Sequence, residues 1–259
     1  MMTLVTGASK GIGLALAHEF ALHGHDLILV GRDSIQLTHV SKQLSSQYHV
    51  KVEYKVCDLS KAGSAFKLYA DLKEQGLEVN CLVNNAGIGY MGSFSEMSLA
   101  KLDDLMAINM VSLSELTLCY LNDFVARNEG SILQIASTAA FQPGPLMAAY
   151  YASKAYVVTL SHAISYELKD TKVSLSILCP GATKTNFFYS SGMENSMLEK
   201  GYIGMMTPEK VAKIAYKGLQ KRKLYIIPGI RNKILAYTAA ISPKSIAAAV
   251  ASYFHHKIS

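Results

Sequence analysis

The sequence predicts an α/β fold, a Rossmann-type, doubly wound parallel sheet flanked by helices, as a single domain over residues 1–259. Three observations predict it. Apolar strand-like runs alternate with helical patterns almost throughout, and regular β–α alternation means parallel strands joined by helical crossovers. The strand runs are continuous, as in Leu27-Ile28-Leu29-Val30, the pattern of strands covered on both faces. The first run leads straight into a glycine turn, Thr6-Gly7-Ala8-Ser9-Lys10-Gly11-Ile12-Gly13, and a helical pattern follows it. Right-handed crossovers gather the loops after the strands along one edge, where ligands bind.

The strand candidates in order are Met2–Thr6, Asp26–Val30, Val50–Cys57, Cys81–Asn84, Ser131–Ala136, Ser174–Cys179 and Leu224–Ile227. Helical patterns fall near 12–23, 34–47, 61–75, 99–126, 151–169 and 208–221. The longest irregular region, Pro180 to Met206, is rich in Gly, Ser, Thr and Met; a loop that long in a compact domain is usually a lid or binding loop, so 185–206 is the expected substrate loop. Residues 229–259 form a tail. Its apolar stretch Ile234 to Phe254 carries Pro243 and Lys244, which suits two short amphipathic helices joined at Ser242-Pro243 better than a membrane span. Packing on the core or on another subunit is preferred for it over a membrane surface.

Composition narrows the function. Half of the residues are hydrophobic, enough for one large core. The net charge of +6 is modest and dispersed, without the Lys/Arg block of a nucleic-acid binder. Cys57, Cys81, Cys119 and Cys179 lie far apart and read as reduced core thiols of a cytoplasmic protein. The histidines show no metal-ligand spacing, and no signal peptide precedes the first strand.

The glycine turn is a dinucleotide site. Its glycines let the backbone approach a pyrophosphate, and the following helix N-terminus offers free N–H groups and a positive dipole end. Its spacing is Gly-x3-Gly-x-Gly rather than G-x-G-x-x-G. After the second strand the position that meets the adenosine ribose is Gly31, with Arg32 next. Arg32 offers a bidentate fork to a 2′-phosphate and Lys10 a second cation, so NADP(H) is favoured over NAD(H). Asp33 is expected to begin the next helix. Asp58 can accept from an adenine amino group, or cap a helix beginning near Lys61; Leu59 follows it. Asn84-Asn85-Ala86-Gly87 ends the fourth strand, where Asn can bridge neighbouring strands and Ala and Gly leave room for a ribose.

Three Tyr-x3-Lys pairs occur, each able to share a helix face: Tyr69/Lys73, Tyr150/Lys154 and Tyr253/Lys257. Tyr150/Lys154 alone follows a strand ending Ile135-Ala136-Ser137 and starts a helix at the ligand edge; the other two read as surface pairs. A free tyrosine has a pKa of about 10, too high for a proton shuttle near neutrality. The Lys154 ammonium and an oxidised nicotinamide would both lower it. Ser137 can hold a substrate oxygen, and Asn109 can hold a water near Lys154 or be an ordinary helix residue.

Thr6-Gly-x3-Gly-x-Gly13, Asp58, Asn84-Asn-Ala-Gly87, Asn109, Ser137, Tyr150-x3-Lys154 and Pro180-Gly181-x3-Thr185 together resemble the single-domain subgroup of the short-chain dehydrogenase/reductase family, over residues 2 to about 228. The resemblance implies a seven-stranded sheet in the order 3-2-1-4-5-6-7. It implies Asn109, Ser137, Tyr150 and Lys154 as a catalytic tetrad with Tyr150 as acid/base. It implies a cofactor site of Thr6, Gly7, Ser9, Lys10, Gly11, Ile12, Gly13, Arg32, Asp58, Leu59, Asn85, Ala86, Gly87, Tyr150, Lys154, Pro180, Gly181, Thr183 and Thr185, with Lys154 on the nicotinamide ribose and Thr185 on the carboxamide. The expected activity is NADPH-dependent, reversible reduction of a carbonyl on an apolar small molecule by a homo-oligomer, dimer or tetramer. Alternatives are a 3-oxoacyl-thioester reductase and a non-catalytic NADP(H)-binding sensor.

Overall fold

The computed structural model describes residues 1–198 and 204–255. Seven parallel strands form one sheet: β1 (Met2–Thr6), β2 (Asp26–Gly31), β3 (Val52–Val56), β4 (Cys81–Asn84), β5 (Ser131–Ile135), β6 (Ser174–Leu178) and β7 (Tyr225–Ile226). Their order is β3-β2-β1-β4-β5-β6-β7. The expected strands overlap the observed ones, with differences of one or two residues at the ends, where ladders fray.

The continuous apolar runs are explained by two cores. Leu4, Ile28, Leu82, Ile132 and Ile177 point to one face, and Val5, Leu27, Leu29, Val83 and Leu133 to the other. Helices α1 (Gly11–Leu22) and α2 (Ser34–Tyr48) cover the second face together with α8 (Pro208–Gln220). The first is covered by α3 (Ser64–Glu74), by α5 (Leu113–Ala126) with the π-helical stretch Ala107–Ser112 before it, and by α6 (Ala148–Glu167); α4 (Leu99–Met106) leads into the π-helical stretch and packs on α6. Asp33 caps α2, accepting from the Gln36 N–H at 2.9 Å.

The region after β6 holds one short helix, α7 (Phe187–Ser190), and a lone bridge between Thr183 and Met206; residues 199–203 of the expected substrate loop lie outside the described residues. The tail is two helices, α9 (Ile230–Ile241) and α10 (Lys244–His255), joined at Ser242-Pro243. They are not a separate appendage: Ala236 belongs to the core beneath the sheet, and α9 packs on the short 3-10 turn Thr138–Phe141 after β5.

Candidate active site

A cavity of about 540 Å³ opens along the C-terminal edge of the strands. The crossovers bring five strand ends to it: the glycine turn after β1, Gly31 at the end of β2 with Arg32 after it, Asp58-Leu59 after β3, Asn85-Ala86-Gly87 after β4, and Ser137 after β5. Pro180, Gly181, Thr183 and Thr185 line it after β6, and Tyr150 and Lys154 reach it from the first turns of α6.

The glycine turn is shaped for close approach. Gly7 and Gly11 have φ of 65° and 60°, the left-handed region that glycine adopts without strain. A Cβ on Gly13 would collide with the Gly7 carbonyl and the Asn85 amide. At the start of α1 the capping residue, Lys10, makes no side-chain cap, and the first turn holds no acidic residue. The first N–H groups of α1 carry no side-chain cap, and Gly11 and Ile12 line the cavity at this positive dipole end, which fits a pyrophosphate.

Thr6, Gly13 and Asn109, placed in the site from sequence, do not line the cavity. They hold it in shape. The buried Thr6 hydroxyl donates to the Val83 carbonyl and accepts from the Asn85 and Ala86 N–H groups at 2.9 and 3.0 Å. The Asn85 amide donates back to the Thr6 and Gly7 carbonyls at 2.9 and 3.2 Å. This is the strand bridging expected of the Asn pair; Asn84 instead points into the core, donating to Thr117. Asn109 is 0% exposed and clamps one residue of backbone. Its Oδ1 accepts from the Ile88 N–H and its Nδ2 donates to the Ile88 carbonyl, both at 2.9 Å, and to the Ser153 hydroxyl at 3.0 Å.

Asp58 does not cap a helix, because α3 starts at Ser64 behind Gly63. Its carboxylate accepts from the Ser60 N–H at 3.1 Å. Burial raises its pKa, but the Ser60 hydrogen bonds and the nearby Arg32 and Lys61 charges outweigh that and hold it below the usual value. Arg32 and Lys10 are exposed at the cavity rim.

At the inner end, the Lys154 ammonium donates to the Ile135 carbonyl at 2.8 Å and lies 5.8 Å from the centre of the Tyr150 ring. Gly87 stands beside it, where a Cβ would sit 3.4 Å from both Lys154 Nζ and Asn109 Oδ1. Ser137 has its hydroxyl fixed: it accepts from the Ala139 N–H at 3.1 Å and donates to the Pro180 carbonyl at 3.4 Å. The expectation of a lowered tyrosine pKa is corrected here. Burial pushes Tyr150 up to about 12, with the Ser137 hydrogen bond working the other way. Burial also pushes Lys154 down to about 8, opposed by the charge of Cys179. Both groups are driven towards their neutral forms because the apolar cavity solvates neither charge, and the second cation assumed from sequence belongs to the cofactor.

Of the two other Tyr-x3-Lys pairs, Tyr69 and Lys73 share Asp123, at 3.1 and 3.0 Å, far from the cavity. Lys257 lies outside the described residues.

Sequence reasoning missed three features of the site. A Cβ on Gly89 would meet Phe187 Cζ at 2.8 Å and Tyr150 Cδ2 at 3.2 Å, so this glycine lets the α7 segment close on the tyrosine. The tail supplies a wall: Leu235, Ala239, Ile246, Val250 and Phe254 line the cavity beside Met147 and Phe187. The tail is also latched. With His255 Nδ1 donating to the Pro145 carbonyl at 2.7 Å, Nε2 accepts from the Tyr151 hydroxyl at 2.8 Å, and His255 is 0% exposed. A histidine at helical spacing from Ala247 and Ala251 was the available signal.

The family profile described as short chain dehydrogenase matches residues 1–195. The chain belongs to the short chain dehydrogenase family. This short chain dehydrogenase is 27% identical over 253 residues to a 7beta-hydroxysteroid dehydrogenase of Clostridium sardiniense, covering 98% of the chain and 95% of the relative. It is 33% identical over 217 residues to a very-long-chain 3-oxoacyl-CoA reductase-like protein of Arabidopsis thaliana, covering 82% of the chain and 68% of the relative. A solved short-chain dehydrogenase from Sphingobium yanoikuyae in complex with NADPH superposes with a TM-score of 0.82 at 30% identity, over 88% of each chain. Some relatives are longer: the chain spans 62% of the length of a hydroxysteroid dehydrogenase-like protein 1 of Gallus gallus.

Proposed function

We propose that this short chain dehydrogenase is an NADPH-dependent oxidoreductase that reduces a carbonyl on an apolar small molecule to an alcohol, reversibly. The observation that carries the reading is one cavity holding the uncapped, glycine-lined start of α1 at one end and Tyr150, Ser137 and Lys154 at the other. A bound nicotinamide would supply hydride in one direction and accept it in the other. The chain's own residues do the rest. The Ser137 hydroxyl turns its one proton from the Pro180 carbonyl, a long 3.4 Å bond, to the substrate oxygen and orients it, and the Tyr150 hydroxyl gives that oxygen its proton. The Lys154 ammonium stabilises the tyrosinate left behind. Asn109 positions the Gly87-Ile88 backbone beside that ammonium.

Two cations at the rim, Lys10 and Arg32, favour a 2′-phosphate, and the NADPH-bound Sphingobium neighbour supports the same choice. Arg32→Ala should raise the KM for NADPH about tenfold and leave the KM for NADH within about twofold, as loss of one charge-assisted contact predicts. An equal rise for both cofactors would refute the assignment.

The apolar lining and the name of the Arabidopsis relative favour a second reading, a 3-oxoacyl-thioester reductase. An NADPH-oxidation screen against ketones, steroids, quinones and 3-oxoacyl thioesters separates the two. Tyr150→Phe should abolish turnover on whichever substrate is found, a loss of at least about a hundredfold, with NADPH binding retained. Near-normal turnover by that variant would overturn the reading.

A further inference from the structure

We propose that the outward face of α9 and α10 docks on an anionic lipid layer and that the cavity mouth opens onto that layer. The two helices turn their small residues inward and their large apolar residues outward. On α9, Ile230, Ile234, Tyr237 and Ile241 recur at four, three and four residues and share one face. They are 70%, 56%, 56% and 85% exposed, while Asn232 and Ala236 are buried. On α10, Ile246, Val250 and Tyr253 form a second exposed stripe, and Ala247, Ala251 and His255 are buried. A surface helix of a globular protein ordinarily does the reverse, and exposed apolar surface concentrated in this way marks an interaction face.

Charge says what covers it. From Gly229 to Ser259 the chain has no Asp or Glu. Arg231, Lys233 and Lys244 are exposed, the first two on either side of the α9 stripe. Two copies of this face would set cations against cations, whereas anionic headgroups complement them. Large apolar side chains flanked by basic ones are the pattern of a helix lying in a lipid interface. The surface is also continuous with the site. Leu235, Ile246 and Val250 are exposed and line the cavity that holds Tyr150. An apolar carbonyl compound held in the lipid layer thus reaches the tyrosine along apolar side chains. That route rests on the reductase reading; the docking does not.

The test is sedimentation of the purified full chain with vesicles of phosphatidylcholine alone or mixed with phosphatidylglycerol. The chain should pellet with the mixed vesicles at low salt and be released as salt screens the attraction. Neutralising two cations, Arg231→Gln with Lys233→Gln, should weaken partitioning roughly thirtyfold. Ile234→Ser with Ile241→Ser should abolish pelleting, with melting temperature and NADPH oxidation in solution unchanged, since neither residue lines the cavity. No pelleting by the parent, equal pelleting with phosphatidylcholine alone, or unaltered pelleting by either variant would overturn the proposal. So would a lipid-free oligomer, seen by light scattering, that the Ile pair dissociates, because a second copy would then cover the face. Absence of any reductase activity would sink the reductase reading and leave the sedimentation result intact.

Discussion

At the scale of the residue, burial sets the chemistry of the site before any ligand arrives. With Tyr150 pushed up to about 12 the phenol is neutral near neutrality, whereas Lys154, pushed down to about 8, still holds its proton there. A cation arriving in the cavity would lower the Tyr150 value and favour the tyrosinate, while its like charge would press the Lys154 value further down. Lys154 also leaves a mark on stability. Its folded pKa of about 8 lies below the unfolded value near 10.5, so the unfolded chain binds more protons between those values. Stability should rise with pH across that window, by on the order of 3 kcal/mol at most, and Lys154→Met should flatten the rise while removing turnover. Urea unfolding of parent and variant between pH 7.5 and about 10 checks it; an unchanged slope in Lys154→Met would contradict it. Tyr150 and Lys154 were legible because a spacing, a preceding strand and a helix start coincided on them. Gly89 was not, because its role is contact with Phe187, nearly a hundred residues on, which no local pattern encodes.

At the scale of the element, the stretch Ala107–Ser112 is the most informative departure from regular structure. Periodicity predicts one continuous helix over 99–126, and the chain runs helically throughout, but this turn widens to π geometry. Such bulges re-aim side chains and are frequent at functional sites. Here it carries Asn109, whose three hydrogen bonds hold Ile88, which follows the Gly87 beside Lys154 Nζ, and Ser153, which precedes Lys154 in the chain. Asn109→Ala should lower unfolding free energy by about 1–3 kcal/mol, since it leaves the half-buried Ile88 N–H and carbonyl unpaired. It should also reduce kcat more than it raises the KM for NADPH, because it loosens the tyrosine end and leaves the glycine turn in place. Denaturant titration with steady-state kinetics checks both, and a loss below about 1 kcal/mol would show the clamp to be idle. The polar side chain inside an apolar helix was readable from sequence, but the widened turn was not, since one extra residue per turn over six residues barely alters the apolar spacing.

At the scale of the molecule, the sheet order was readable because the ordered set of motifs carried the resemblance and the apolar runs required covering on both faces. The tail was readable as two helices but not as a wall of the cavity: its inward residues are alanines, which signal little, and its partners lie after β5. The latch holding it there is testable. His255→Ala leaves the Tyr151 hydroxyl and Pro145 carbonyl without these partners, which should lower stability by about 2–3 kcal/mol. Proteolysis near Ser242-Pro243 should then quicken, read by mass spectrometry of timed digests; an unchanged cleavage rate would mean the tail docks without it. The latch also imposes an order in time. His255 is made about 250 residues after Gly7, a delay on the order of tens of seconds at ordinary elongation rates. Throughout that interval the nucleotide end can be in place while the opposite wall has yet to be made. A polypeptide cut short before α10 lacks Ile246, Val250 and Phe254 of that wall and leaves this side of the site to solvent.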